Sequence, residues 1–201
     1  MIRILLSKAI VGTYAAHRAI SMRLRAYAYS GLLLECGPGF SPGAGAEFLS
    51  ASNIAIGSNF RTGKNVRIHA WPSYAGWVYA KKYEALIQIG DNVFFNDNSY
   101  VTAAFGIQIG DNCLIGSNVL IADNSHGASV LTPAPRSKEP LVGRGRIVVG
   151  ENVWICNNCV ITSGITIGSN SILAANSVVV RDVPSGSIVG GVPARIIKLL
   201  C

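Results

Sequence analysis

Few residues in this chain of 201 could do chemistry. There are three histidines, His17, His69 and His126, and five cysteines, at positions 36, 113, 156, 159 and 201. Cys156 and Cys159 form a Cys-Asn-Asn-Cys step with the spacing of a redox or zinc pair, but no second step and no histidine pair completes a metal set. No metal is expected, and the odd, scattered cysteines read as reduced thiols. The histidines also lack the pairing that a three-histidine zinc site of the carbonic anhydrase type needs. His17 falls in a helix-forming stretch and His69 ends the first periodic run, so both read as structural. His126 stands apart, because a regular pattern stops there and a stretch rich in Pro, Arg and Lys begins. A neutral imidazole at such an opening is suited to take a proton from a weak nucleophile, since imidazole titrates near neutral pH.

The pattern that His126 ends has a period of six. Its first position is filled by Ile56, Thr62 and Ile68, then Ile89, Phe95 and Val101, then Ile109, Ile115 and Ile121, and finally every sixth residue from Val149 to Val179. The second position is usually Gly or Ala, the fourth often Asn, and the fifth small or aliphatic. A helix would scatter such residues around its surface, and an alternating strand needs period two. A short strand and a turn, repeated every six residues, instead bring each first position to the same place on one face. Three faces close a triangular coil, coils stack their strands in parallel, and the aliphatic ladders fill the prism. Gly and Asn recur at the corners because they enter the left-handed backbone region most readily. Two interruptions, 70–86 and 127–146, must leave the prism at corners, where a loop does not break the ladder.

In these features the chain resembles the hexapeptide-repeat acyltransferases, over roughly residues 50–198 and most strongly in "VGENVWICNNCVITSGITIGSNSILAANSVVVRDVP". The resemblance implies an all-β fold: a left-handed parallel β-helix of hexapeptide repeats over 31–201, with a short N-terminal helix in 1–30 and two protruding loops. The handedness comes from the resemblance, since parallel crossovers are usually right-handed. It further implies an acetyl-CoA-dependent enzyme acetylating a hydroxyl of a sugar or surface-polysaccharide precursor, closest to the sugar and polysaccharide O-acetyltransferases. His126, in "ADNSHG", matches the family's catalytic histidine. It would take the hydroxyl proton as the oxygen attacks the thioester and return a proton to the departing thiolate, with no covalent intermediate. Asp123 either orients that ring or caps a corner. Where many relatives carry a second histidine, this chain has Asn124.

The same resemblance assigns contacts to the cosubstrate at Asn157, Ala175, Val180, Arg181, Arg195 and Lys198, with the Trp154 ring flanking the pantetheine arm. Small Ala175 lets a thin chain pass, and the three cations can meet phosphates. Asn96 matches an acceptor-binding Asn, but Ala103 and Ala104 stand where the galactoside and maltose enzymes carry an acidic residue. A homotrimer with active sites between subunits is implied. Two other readings stay open: an O-acetyltransferase acting on chloramphenicol- or streptogramin-type antibiotics, and a non-catalytic β-helix that binds an acyl-CoA or a glycan.

A formal charge of +7 points to an anionic partner, such as a phosphate-bearing cofactor. Nucleic acid is not expected, because the cations fall in loops and termini and no recognition module is present. The N-terminal stretch carries Arg18, Arg23 and Arg25 among apolar residues at helical spacing. It either packs on the prism or a neighbouring subunit, or rests on an anionic membrane. No cleavable signal and no span of about 20 apolar residues is seen, so a cytoplasmic location is expected, with peripheral contact at the inner membrane face as the variant. Residues 31–49 read as a linker or an irregular first coil. The aromatic first interruption suits sugar rings or a subunit contact. The second, with Arg136, Lys138, Arg144 and Arg146, reads as an active-site wall.

Overall fold

The computed structural model describes residues 2–127 and 135–200, apart from the side chains of 2–12, 14, 15 and 18. Arg18 and the tip of the second interruption therefore lie outside the described residues. One α-helix, Ile2–Ser30, leads into a left-handed parallel β-helix. At 29 residues the helix is not short. No proline interrupts it, and it is rich in the helix formers Ala, Leu and Arg.

Short strands stack in three parallel faces. The first face runs Glu35–Cys36, Ile54–Ile56, Ile87–Ile89, Ile107–Ile109, Ile147–Val149 and Thr166–Ile167. The second runs from Arg61–Thr62 through Phe94–Phe95, Leu114–Ile115, Trp154–Ile155 and Ile172–Leu173 to Ser187–Gly191, where Ala194–Leu199 turns back antiparallel. The third runs Glu47–Leu49, Arg67–Ala70, Tyr100–Ala103, Leu120–Ala122, Val160–Ile161 and Val178–Val179. Every first position of the repeat points inward: Ile115, Ile121, Ile155, Ile161, Ile167 and Leu173 are fully buried. Fifth positions fill the corners behind them, with Phe60, Val93 and Ser99 fully buried. Burial of one such isoleucine contributes about 1.5–3 kcal/mol, so the ladder is the main source of cohesion.

The corners are built by asparagine. Asn59, Asn92, Asn112, Asn118, Asn152, Asn158, Asn170 and Asn176 all have φ between 54° and 62°. Their carboxamides also stack, as Asn118 Nδ2 donates to Asn158 Oδ1 at 3.0 Å and Asn158 Nδ2 to Asn176 Oδ1 at 3.0 Å. Changing Asn158 to Gly should remove only the ladder bonds, whereas Val should add left-handed strain of about 1–2 kcal/mol. Urea unfolding of the two variants measures the gap; equal midpoints would show that the stack alone sets the corner.

Residues 31–49 are a coil of the prism and no linker. Glu35–Cys36 pairs with the first face, Ser41 bridges Arg61 on the second, and Glu47–Leu49 joins the third. The helix packs onto this coil: Arg25 Nε donates to the Pro42 carbonyl at 3.4 Å, and Tyr29 Oη to that of Ala46 at 3.2 Å. Tyr29 also meets Phe48 at a centroid distance of 4.8 Å. Ile20, Leu24 and Tyr27 face away and are exposed. Among the described residues no helix is long and apolar enough to cross a membrane.

Candidate active site

Both interruptions leave the edge between the third and first faces, and they meet. The first folds into a hairpin, Ser73–Tyr74 against Trp77–Val78, turned by Ala75 and Gly76 at φ 49° and 89°. Two consecutive left-handed residues are what a tight hairpin turn needs. The second returns through Arg136–Lys138 and pairs Leu141–Val142 antiparallel with Ser125–His126. Tyr74 Oη donates to the Ser137 carbonyl at 2.9 Å, and the Leu141 N–H donates to Tyr79 Oη at 2.6 Å. Two segments some 60 residues apart in sequence thus brace one another.

Between them lies a cleft of about 420 Å³ lined by Trp71, Tyr74, Tyr100, Thr102, Asn124, Ser125, His126 and Leu141. The His126 side chain is exposed there, with the Tyr74 ring 5.4 Å from its own. Reading the chain as a sequence missed Tyr100 and Trp71. The aromatic content of the first interruption was the available signal, and the cleft now accounts for Trp71 and Tyr74.

Asp123 is fully buried, and its carboxylate is spent on the edge below. Oδ1 accepts from the Ala104 N–H at 2.8 Å, and Oδ2 from those of Phe105 and Gly106 at 2.8 and 2.6 Å. Asn124 Nδ2 donates to Oδ1 at 2.8 Å, so Asn124 also faces this carboxylate. Of the two roles open to Asp123, these contacts are those of a corner cap, and among the described residues no hydrogen bond links it to His126. The repeat explains why. Asp123 holds the third position of its hexad, as do Asp91, Asp97 and Asp111, and each of those accepts a backbone N–H from the coil below.

The remaining sequence-derived residues fall on two edges, one face and the top of the prism. Val180 and Arg181 continue the edge of His126, and Arg144 binds there by donating to Ser163 O, Thr162 Oγ1 and Val180 O. Asn96, Asn157 and Ala175 share the opposite edge, between the second and third faces. Asn96 Nδ2 donates to Ile115 O at 3.1 Å, and Asn157 Oδ1 accepts from the Ser117 N–H at 2.9 Å. Asn96 does not line the His126 cleft. Trp154 stands on the second face, 48 % exposed, in an outward row with Phe94, Leu114, Ile172 and Ile188 that ends beside Lys198. Arg181 and Arg195 line a cleft of about 350 Å³ at the top of the prism, together with Asp182 and the apolar Val179, Val183, Val189 and Ile196. Two cations over an apolar wall suit a phosphate-bearing molecule with an aliphatic arm.

The thiols of Cys156 and Cys159 are free, and burial raises both above the ordinary thiol range. Burial likewise pushes Cys113 up to about 11. Thiolate is scarce at such sites, and thiolate is the reactive form.

A left-handed parallel β-helix of six-residue repeats is the architecture of the hexapeptide transferases. Two family models match: the bacterial transferase hexapeptide (six repeats) over residues 146–181 and the hexapeptide repeat of succinyl-transferase over 87–122. WbbJ of Escherichia coli K12, named as a lipopolysaccharide biosynthesis O-acetyl transferase, is 30 % identical over 151 residues, which is 73 % of this chain and 71 % of WbbJ. Galactoside O-acetyltransferase of the same organism is 35 % identical over 58 % of this chain, and the match spans 55 % of that enzyme. A hexapeptide-repeat acetyltransferase of Vibrio cholerae, solved with acetyl coenzyme A, superposes with a TM-score of 0.60 at 27 % identity, covering 89 % of this chain and 78 % of that one. The chain belongs to the hexapeptide-repeat acetyltransferases, a family of acetyl-CoA-dependent enzymes.

Proposed function

We propose that the protein transfers the acetyl group of acetyl-CoA to a hydroxyl of a sugar or surface-polysaccharide precursor, with His126 as general base. The observation that carries this is an exposed imidazole in a cleft walled by aromatic rings, beside which an alcohol could lie. His126 takes the hydroxyl proton as the oxygen bonds to the acetyl carbon; the carbon–sulfur bond breaks, and the imidazolium returns its proton to the thiolate. Such base catalysis contributes about 10²–10⁴ in rate. Arg181, Arg195 and Lys198 would hold phosphates of the cosubstrate, and Trp154, Asn157, Ala175 and Val180 would line its arm. Similarity to WbbJ, by its name a lipopolysaccharide enzyme, and to galactoside O-acetyltransferase supports the acceptor class.

His126 and Val180 lie on one edge of the prism and Asn96, Asn157 and Ala175 on the opposite one, so a site using all of them needs a second copy. We read the assembly as a homotrimer in which the His126 edge of one protomer meets the Asn96, Asn157 and Ala175 edge of the next. The outward apolar row around Leu114 and Trp154 offers surface for that contact. Light scattering at micromolar concentration should then give three times the chain mass of 21.2 kDa, and a monomer would overturn the shared site. Thiol release from acetyl-CoA in the presence of simple glycosides tests the chemistry; equal rates for native protein and His126→Ala would refute it.

A further inference from the structure

The wall of the His126 cleft continues inward to a second histidine. His69 is buried, and its Nδ1 lies 3.1 Å from Tyr100 Oη. Its Nε2 has no hydrogen-bond partner among the described residues, but Glu47 Oε1 stands 3.4 Å away, near enough for charge attraction and too poorly aligned for a hydrogen bond. A carboxylate repels a nitrogen lone pair and attracts N–H, which puts the ring hydrogen of neutral His69 on Nε2. Burial, more than any neighbour, holds the His69 pKa below the ordinary imidazole range, so the ring is neutral at pH 7. Its Nδ1 is then an acceptor, the Tyr100 hydroxyl donates to it, and the lone pairs of Tyr100 Oη remain for a group in the cleft.

Among the described residues that line the cleft, Trp71, Tyr74, Tyr100, Thr102, Asn124, Ser125 and Leu141 surround His126 and none carries a formal charge. Arg67 stands 4.5 Å over the Tyr100 ring and Glu47 pairs with Arg67 across the sheet; neither lines the cleft. Trp71 meets Tyr74 edge-on at 5.9 Å, and its indole N–H donates to Thr102 Oγ1 at 3.0 Å, which fixes the ring plane. An ion entering here would lose water without gaining a counter-charge. A sugar ring brings C–H faces for the aromatics and hydroxyls for the polar rim.

Resting on the reading of His126 as base, we propose that this cleft takes the ring of an uncharged sugar, and that Tyr100 is a positioning residue accepting a hydrogen bond from a ring hydroxyl while His69 holds the phenol proton. The test uses the full chain without acetyl-CoA, titrated with methyl β-D-glucopyranoside, methyl β-D-galactopyranoside, the methyl glucuronide and the methyl glucosaminide, following tryptophan fluorescence. At least one neutral glycoside should shift the emission, the shift should vanish in Trp71→Phe, and both charged glycosides should bind at least about tenfold more weakly. Tyr100→Phe and His69→Leu should weaken the neutral ligand about tenfold, with His69→Asn, whose Oδ1 can replace the Nδ1 acceptor, recovering most of the loss at matched unfolding temperature. Charged and neutral glycosides binding alike, Tyr100→Phe binding within twofold of native, or no glycoside binding at all would each overturn the proposal. Because the titration needs no turnover, it fails or holds independently of thiol release in His126→Ala.

Discussion

Alanine at position 126 is expected to lower kcat for thiol release by about a thousandfold while lowering the unfolding temperature by no more than about 4 °C. The two halves of that result come from different observations. The rate term follows from the hydroxyl, which is a weak nucleophile unless a base takes its proton as it attacks, and mutational losses of such bases fall in the range of about 10²–10⁴. The stability term follows from exposure. The His126 side chain faces the cleft, and what the residue gives the fold is its backbone pairing with Leu141. Alanine keeps that pairing. Its lost ring contact with Tyr74 is an exposed one, with an expected cost of about 1 kcal/mol or less. Steady-state kinetics at saturating acetyl-CoA and a calorimetric scan of the same sample check both halves. A variant that loses activity only in proportion to its loss of folded protein would make His126 a structural residue.

Asp123→Ala should show the reverse balance. Three backbone N–H groups at the corner Ala104–Gly106 donate to this one buried carboxylate. Hydrogen bonds to a charged group contribute about 1.5–3 kcal/mol each, and a donor left buried without a partner costs about 1–3 kcal/mol. These terms overlap, so about 4–5 kcal/mol in total is expected, a large share of the stability of an ordinary domain. Asp123→Asn should fare only moderately better. Its amide nitrogen would have to face donors where Oδ2 now accepts from Phe105 and Gly106. Urea unfolding measures the loss, and kcat per folded molecule separates it from chemistry. An Asp123→Asn variant with an unchanged midpoint and a collapsed kcat would restore the orienting role set aside above.

The two residues also show where sequence and tertiary structure divide the labour. Sequence alone determined the prism. A six-residue period allows only one kind of element, and Ile115, Ile121, Ile155, Ile161 and Ile167 are buried where the period puts them. The asparagine corners were equally legible, because left-handed φ is a local property of the backbone and shows in local composition. Even the role of Asp123 was written in its register, beside Asp91, Asp97 and Asp111, although the nearness of His126 in sequence suggested a catalytic role. The first coil was not legible. Its first positions, Cys36, Pro42 and Phe48, keep the six-residue spacing but carry none of the usual aliphatics, and Phe40 stacks on Phe60 at 6.0 Å across coils. Such packing depends on neighbours that no local pattern records. The cleft belongs wholly to tertiary structure. Trp71 and Tyr74 come from a hairpin that leaves one coil, Tyr100 from the next and His126 from a third. A stack of coils sets residues about 20 to 30 apart in the chain side by side, and which aromatic meets which histidine is decided only when the coils close.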